Sequence, residues 1–296
     1  MKYFSCFSWI GGFELWIQYA YEMMCSTDSR QMIQRAWDPE WQLEQRSDIR
    51  AEWLSCIGFS EIDKYATQIY QSHFPTHQPY GDITKINTDE LPDFDCLVWG
   101  FPCQAFSIAG KRKWFDDTRG TLFFELARIL KTKQPRLFVF ENVKWLLSHD
   151  DGKTFSTIIA TIDELGYDCQ WQVLNSKNHW VPQNRERVFI VGHLRGTARP
   201  QVFPIGNDSK ETDELSWQCS NTLTARYYGW QANGTYVRES ELNAQTKIRR
   251  LTPLEAERLQ WFPDWWTEWV SDTQRYKCLW NAVTVNVIRD IFMRIL

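Results

Sequence analysis

Residues 2–13 read KYFSCFSWIGGF, in which a short apolar run (2–7) leads into the turn Ile10-Gly11-Gly12 and a helical stretch starts at Phe13. The same alternation continues through the first half of the chain. Apolar strands end in polar residues, and helical stretches separate one strand from the next. The further predicted elements are a strand at 54–59, a helix from Asp63, a strand end at 80–83, a strand at 95–98, a helix at 121–131 and a strand at 136–140. Short apolar strands separated by helices predict a parallel α/β sheet with helices on both faces. Ligands of such sheets bind at the carboxyl ends of the strands.

The second half adds strands at about 168–174 and 187–192 and then changes in texture. Residues 194–248 are polar and show no helical period, which indicates a small irregular lobe. Helical spacing returns at 252–260, with Thr252 as the predicted N-cap and Pro253 in the first turn. A last helix at about 282–296 is expected to pack back on the first half. The predicted organisation is therefore one α/β domain, 1–193 with 249–296 returning to it, and a lobe at 194–248.

The composition is that of a globular chain, with 43% hydrophobic and 24% charged residues. No apolar run approaches the roughly 18 residues of a membrane span, and the N-terminus lacks the order of a signal peptide, so we expect a cytoplasmic protein. The eight cysteines form no CxxC pair and the histidines do not cluster near them, so no metal site is predicted. The net charge of −4 hides local differences: segment 183–199 has four arginines against one glutamate.

Three short blocks carry candidate chemistry at predicted strand ends. Cys103 lies in the loop GFPCQ (100–104). Its side chain could be a nucleophilic thiolate, or it could be an ordinary buried thiol of the loop. Glu141 ends the next long strand and should face the same crevice, although a helix-capping role is the default for it alone. Arg185 and Arg187 alternate into a strand and point the same way, unless they mark a solvated edge. Together these groups suit an electron-poor heterocycle held near phosphates.

With these blocks in place, the sequence closely resembles the cytosine-5 DNA methyltransferase family. The resemblance extends over nearly the whole chain, in the order of that family, and no single block decides it. The blocks are FSWIGGF (7–13), SEID (60–63), GDI (81–83), GFPCQ (100–104), DDTRG (116–120), ENV (141–143), QNRER (183–187), LTP (251–253) and NAV (281–283).

The resemblance implies a Rossmann-like methyltransferase sheet and a covalent mechanism. Cys103 would attack carbon 6 of a cytosine, Glu141 would hold or protonate nitrogen 3, and carbon 5 would take the methyl group of S-adenosylmethionine. Arg185 would steady the base and the catalytic loop, while Arg187 would support the site. Because the ring is stacked inside a duplex, the base must be flipped out of it.

The resemblance also implies a cofactor pocket over the first strand ends. The glycine turn would approach the methionine part, and Glu61 would accept hydrogen bonds from the ribose hydroxyls. Asp82 and Ile83 would flank the adenine, and the segment 281–283 would close the pocket. Ile62 stands where the family often has an aromatic residue. The predicted cofactor residues are Phe7, Ile10, Gly11, Gly12, Glu61, Ile62, Asp82, Ile83, Asn281, Ala282 and Val283.

Double-stranded DNA is the partner that the resemblance implies, and we expect a monomer. The lobe at 194–248 would be the target recognition region for a short site, since Thr222 and Leu223 resemble a family signature there. A mobile loop at 100–118 would contact phosphates when it closes. The predicted DNA-binding residues are Gln104, Lys111, Arg112, Lys113, Thr222, Leu223 and Arg226, for each of which a polar surface loop is an alternative.

Tryptophan departs from the family's pattern. Seventeen tryptophans outnumber fourteen glycines, and several stand where the family has glycine. Selection does not favour the largest side chain in tight turns. We therefore interpret them as a codon effect, in which UGA is translated as tryptophan although the gene's own code reads glycine. The nine positions are Trp9, Trp16, Trp99, Trp114, Trp145, Trp180, Trp230, Trp261 and Trp280.

Other readings stay open at this point. A nicotinamide-dependent oxidoreductase would explain the glycine turn and the acidic second strand end, but not Cys103, Glu141 or the arginines. A DNA-binding but catalytically impaired homologue would follow if the tryptophans are real and obstruct the cofactor pocket. Within the enzyme class, transfer RNA is an alternative substrate, although a discrete recognition lobe favours DNA. An enzyme of a restriction-modification system and an orphan bacterial enzyme would both fit the sequence.

Overall fold

The computed structural model describes residues 1–25, 54–100, 122–205, 220–221, 236–240 and 246–296. Its strands are β1 (Lys2–Cys6), β2 (Ser55–Ser60), β3 (Cys96–Gly100), β4 (Leu137–Val143), β5 (Tyr167–Asn175), β6 (Gln183–Asn184), β7 (Glu186–Leu194), β8 (Ser220–Asn221), β9 (Tyr236–Ser240) and β10 (Thr246–Arg250). Its helices are α1 (Gly12–Cys25), α2 (Lys64–His73), α3 (Leu122–Lys133), α4 (Lys153–Glu164), α5 (Pro253–Leu259), α6 (Asp272–Asn281) and α7 (Val285–Ile295).

A six-stranded sheet with the order β2-β1-β3-β4-β7-β5 forms the centre of the fold. Strands β1 to β4 are parallel, as the sequence predicts, but β7 runs antiparallel to both β4 and β5. The parallel sheet predicted from the first half is therefore confirmed, and the two strands of the second half, for which no direction was predicted, extend it in antiparallel pairing. The segment 176–185 that joins β5 to β7 is too short for a crossover helix, and such a short connection joins antiparallel strands.

Helices cover both faces of the sheet, as predicted. Side chains alternate along β3, so that Val98 packs with Ile17 of α1 and Ile288 of α7 in one core, whereas Leu97 belongs to the opposite core. That second core contains residues of α3 and α4, among them Leu126 and Ile158. None of the helices in the described part of the chain is long and apolar enough to cross a bilayer.

Two local predictions had different outcomes. The strand end expected at 80–83 was wrong: one bridge joins Phe59 to Pro79, and the chain then turns through Gly81 at a φ of 64°. The Asp82 carboxylate accepts a hydrogen bond from Thr84 N and thereby caps a short 3-10 turn. The cap predicted at Thr252 is confirmed, because Thr252 and Glu255 form a reciprocal capping box at the start of α5.

The start of the predicted lobe lies against the sheet. The side-chain amide of Gln170 on β5 bonds the backbone of residues 200–203, and Gln172 bonds both backbone groups of Ile205. Val202, Phe203 and Ile205 are buried in the core shared with α1 and α7. Between residues 206 and 250 the described parts are β8, which pairs with β6, and the antiparallel pair β9 and β10. Residues 200–205 of the predicted lobe therefore pack on the sheet, and the described strands of the predicted lobe are β8, β9 and the start of β10.

Four tryptophans among the described residues have a left-handed backbone. The φ angle is 46° at Trp9 and 64° at Trp180, Trp261 and Trp265. A Cβ-bearing residue in this region costs of order 1–3 kcal/mol, whereas glycine adopts it freely. The first three are among the nine positions at which glycine was predicted, and Trp265 is not. Backbone angles do not distinguish Trp16, Trp99, Trp145 and Trp280, and two further predicted positions, 114 and 230, lie outside the described residues.

Candidate active site and cofactor pocket

Glu141 lies at the carboxyl end of β4, directly opposite Gly100 at the end of β3. Its side chain is buried, and Oε1 accepts a hydrogen bond from Arg187 Nε at 2.9 Å. Burial raises the pKa of this carboxyl, while the charges of Arg187 and Arg185 oppose the rise. A Cβ at residue 100 would lie 3.4 Å from Oε2, so the carboxylate faces the end of β3. The site therefore contains a buried carboxyl group prone to protonation.

The two predicted arginines are both buried but have different partners. Arg187 lies on β7 opposite Val143 of β4, which places its guanidinium beside Glu141. Arg185 donates from Nη2 to the carbonyls of Trp280 at 3.0 Å and Ala282 at 2.8 Å. The sequence expectation assigned the base to Arg185 and support to Arg187. In the structure it is Arg187 that contacts the catalytic carboxyl candidate.

The glycine turn after β1 is shaped by two close approaches. Gly11 has a φ of 84°, and a Cβ there would lie 2.5 Å from Phe74 Cε2. A Cβ on Gly12 would lie 2.8 Å from Val283 Cγ2. No larger residue fits at either position without movement. Ile10 is buried, and its carbonyl accepts a hydrogen bond from Trp266 Nε1 at 2.8 Å, which fixes the turn against the segment that follows α5.

Glu61 follows β2 and anchors the same turn. Its Oε1 accepts from the backbone N–H groups of Ile62 and Asp63, each at 2.8 Å, and Oε2 accepts from Trp9 N at 3.2 Å. Burial raises its pKa to about 6, against the lowering effect of these three bonds. Oε1 accepts two of these bonds and Oε2 one, so a second lone pair on Oε2 has capacity for a ligand hydroxyl.

The remaining predicted cofactor residues are partly available to a ligand. Ile62 is 69% exposed, and Asp82 is intermediate in exposure. Ile83 is buried in the core together with Phe7, so its side chain packs inside the protein. Asn281 ends α6, and the next two residues, Ala282 and Val283, are buried.

The predicted nucleophile and DNA contacts lie outside the described residues. Gly100 is the last described residue before Cys103 in the chain. The others outside are Gln104, Lys111, Arg112, Lys113, Thr222, Leu223 and Arg226. Among described side chains, no group of three or more histidines, cysteines or carboxylates is arranged to hold a metal.

Two tryptophans lie against predicted site residues. The Trp280 ring centre is 5.5 Å from Arg185 Cζ and 5.9 Å from Arg187 Cζ. Trp99 is fully buried, and its ring centre lies 5.0 Å from that of Phe7. Indoles therefore occupy space beside the arginine pair and beside a predicted cofactor residue.

Glu14 is a buried carboxyl that the sequence analysis missed. It lies in the first turn of α1, just after the glycine turn, and Oε1 accepts from Tyr70 Oη at 3.0 Å. Burial raises its pKa to about 7, opposed mainly by a hydrogen bond from Ser5. An acidic residue in an otherwise apolar stretch, FELWI (13–17), was the only available signal.

Glu14 predicts a pH dependence of stability. Because its pKa is raised on folding, the protonated form stabilises the native state, and this contribution is lost as pH rises towards and through about 7. The expected loss is up to roughly 3 kcal/mol, and Glu14→Gln should remove most of it. Urea unfolding at a series of pH values tests this, with the exposed Glu164→Gln as control. Equal pH slopes for parent and Glu14→Gln would contradict the prediction.

The sheet, the glycine turn and an acidic second strand end define a nucleotide-binding α/β fold. The sequence matches the family described as C-5 cytosine-specific DNA methylase over residues 1–221 and 206–296. The chain belongs to this family, which decides against the oxidoreductase alternative. It is a DNA cytosine-5-methyltransferase that uses S-adenosylmethionine.

Similar proteins agree with this assignment. The chain is 40% identical to the Type II methyltransferase M1.ScrFI of Lactococcus lactis subsp. cremoris, over 83% of this chain and 73% of that protein. It is 39% identical to M.NlaX of Neisseria lactamica, over 80% and 87%. A DNMT2 mutant of Spodoptera frugiperda shares the fold, with a TM-score of 0.66, 18% identity and coverage of 98% of both chains.

The residues of the pocket fit the cofactor on the side of the glycine turn. Gly11 and Gly12 let Phe74 and Val283 pack closely on the turn because neither glycine carries a Cβ, and Glu61 Oε2 can accept a hydroxyl hydrogen bond. When bound, S-adenosylmethionine supplies an electrophilic methyl group. The residues that would hold it are those of the turn, Glu61 and the segment 281–283.

Proposed function

We propose that the chain methylates a flipped-out cytosine through a covalent bond to Cys103. The Sγ thiolate adds to carbon 6, and the electron pair moves to carbon 5 while Glu141 donates its proton to nitrogen 3. Carbon 5 then takes the methyl group. Removal of the carbon 5 proton by a base, elimination of Sγ and return of the nitrogen 3 proton to Glu141 restore the aromatic ring and the free enzyme.

The observation that carries this proposal is the environment of Glu141. A carboxyl group that donates a proton must be neutral before it reacts, and burial raises the pKa of Glu141 in that direction. Arg187 orients one of its oxygens, and the other faces the end of β3. Cys103 follows that strand end by three residues, so its loop starts beside the carboxyl group.

Glu141→Gln is the test of this assignment. The amide has nearly the same shape but cannot give up a proton, so the rate of methyl transfer should fall by roughly 100-fold or more. Labelled methyl transfer to DNA, with 5-methylcytosine identified by nucleoside analysis, measures it in the chain with family glycines restored. Glu164→Gln, an exposed carboxylate on α4, is the control. Unchanged turnover in Glu141→Gln would contradict the role of Glu141.

The setting of the reaction follows from the relatives. Since M1.ScrFI and M.NlaX are named Type II methyltransferases, we propose a restriction-modification or orphan bacterial enzyme. Its substrate would be a short site in double-stranded DNA. The enzyme would act in the cytoplasm, where that DNA lies, and would be a monomer.

Sequence choice is proposed to reside in the lobe at 194–248. Because residues 200–205 are held by Gln170 and Gln172 on β5, an exchange should begin after residue 205. Replacing 206–248 by the segment of a related enzyme should transfer the methylated site and leave cofactor affinity unchanged. Bisulfite sequencing reads the result. Modification of the original site by the exchanged chain would place recognition elsewhere.

A catalytically impaired DNA-binding protein is the second candidate. The positions of the Trp280 and Trp99 rings favour it for the chain as written, since both contact predicted site residues. Restoring glycine at these positions separates the two candidates, because only the first predicts that methyl transfer then appears.

A further inference from the structure

The closing segment, residues 280–283, lies between the cofactor turn and the catalytic carboxyl group. Val283 Cγ2 would be 2.8 Å from a Cβ on Gly12, and Val283 Cγ1 would be 3.7 Å from a Cβ on Gly100. Gly100 in turn is the strand partner of Glu141. The position of this segment therefore affects both the cofactor pocket and the base site.

The closing segment is held by one buried guanidinium. Arg185 is 2% exposed and donates from Nη2 to the carbonyls of Trp280 and Ala282. Its Nε and Nη1 have no hydrogen-bond partner within the described part of the chain. A buried charge of this kind is costly unless it is bonded, so the two carbonyl bonds are the main compensation that the structure gives it.

A chain of buried hydroxyl and amide groups holds the same segment from its other end. The Arg185 carbonyl accepts from Ser176 N, Ser176 Oγ donates to Thr284 Oγ1 at 2.8 Å, and Thr284 donates to Gln260 Oε1 at 2.8 Å. Gln260 Nε2 donates to Leu279 O. Thr284 is the N-cap residue of α7, yet its hydroxyl makes no cap bond. The Thr284 hydroxyl is therefore bonded to Ser176 and Gln260 instead of capping α7.

We propose that Arg185 is a positioning residue for the cofactor, acting through the closing segment, and that Thr284 supports the same function. This inference rests on the proposed function of the pocket. It separates the two arginines: Arg185 sets cofactor affinity through residues 280–283, whereas Arg187 acts on the chemical step through Glu141. Arg187 lies on β7 and Arg185 just before it, between β6 and β7, and the two side chains differ in what they bond.

The experiment compares Arg185→Met with Arg187→Met in the chain with glycine restored at Trp9, Trp99 and Trp280. Arg185→Met should weaken S-adenosylmethionine binding in calorimetry without DNA by about tenfold or more, as expected for lost charged hydrogen bonds. Arg185→Lys, which keeps a charged donor, should recover part of the loss. Arg187→Met should bind the cofactor like its parent and lose turnover. Arg185→Met with unchanged cofactor affinity, or equal losses in both methionine variants, would overturn the inference.

Thr284→Val keeps the test decisive if Arg185→Met does not fold. It removes one hydroxyl from the buried chain at nearly constant volume and should raise the cofactor Kd and the cofactor KM. Thr161→Val is the matched control, because Thr161 is also buried but bonds only within α4. Equal cofactor affinity in the two valine variants would overturn the inference. A parent that does not bind S-adenosylmethionine would overturn the proposed function, and this inference with it.

Discussion

Cys103→Ser is expected to abolish methyl transfer and the covalent capture of DNA that contains 5-fluorocytosine. A serine hydroxyl is not ionised near neutral pH, whereas a loop thiol can be, so the loss should be on the order of 10⁴-fold or more. Fluorine at carbon 5 cannot leave as a proton does, so the parent with glycines restored should form an adduct that survives denaturation. The variant should form none on a denaturing gel.

The other cysteines with described side chains make poor alternatives. Burial raises the pKa of Cys6 and Cys96 well above the ordinary value and raises that of Cys56, Cys169 and Cys278 to about 12. They stay protonated thiols at neutral pH, and thiols are weak nucleophiles. Cys169→Ser is therefore the control and should trap DNA like its parent. Trapping by Cys103→Ser would place the nucleophile at another residue.

The order of strands and helices could be predicted because each element carries its own periodicity. The strand at 95–98 and the helix at 121–131 are found at 96–100 and 122–133. Strand direction was harder to predict from the sequence. The antiparallel direction of β7 depends on the length of the connection after β5, and the sequence pattern of a short strand is the same in parallel and antiparallel pairing. The strand expected at 80–83 failed because Gly81 and Asp82 favour a turn.

The sequence could predict which residues form the candidate site but not which of them bond to each other. Adjacent strand ends bring Glu141 beside Gly100, as carboxyl ends in a parallel sheet require. The different bonding partners of Arg185 and Arg187 depend on which atoms lie next to each guanidinium. The two-residue spacing in the sequence predicts only that both side chains point the same way. Glu14 was missed because a buried carboxyl group shows itself only through its surroundings.

Restoring glycine at Trp9, Trp99 and Trp280 is expected to convert a chain that binds S-adenosylmethionine weakly or not at all into one that binds it. At Trp9 the φ of 46° strains any residue with a Cβ by of order 1–3 kcal/mol, and Trp9 N is one of the groups bonded to Glu61. At Trp280 the indole lies against both arginines. At Trp99 it fills the space beside Phe7.

The same substitutions carry a cost in the free protein. Trp99 is fully buried, so its removal leaves a cavity, and truncation of a buried aromatic side chain typically costs about 3–5 kcal/mol. Relief of strain at Trp9 offsets only part of this. The triple variant should therefore melt below the chain as written when free and gain stability on adding S-adenosylmethionine, by about 2.7 kcal/mol at a hundred times its Kd.

Calorimetry on the chain as written and on the triple variant measures the recovery of binding. Trp145→Gly is the control, because Trp145 is half exposed and packs on His149 in a 3-10 turn after β4. It should leave cofactor binding as weak as before. The gene tests the origin separately: UGA is expected at Trp9, Trp99 and Trp280, and also at Trp180, Trp261 and Trp265, whose backbone is left-handed. UGG at these positions, or tight cofactor binding by the chain as written, would show that tryptophan is the residue this site was built with.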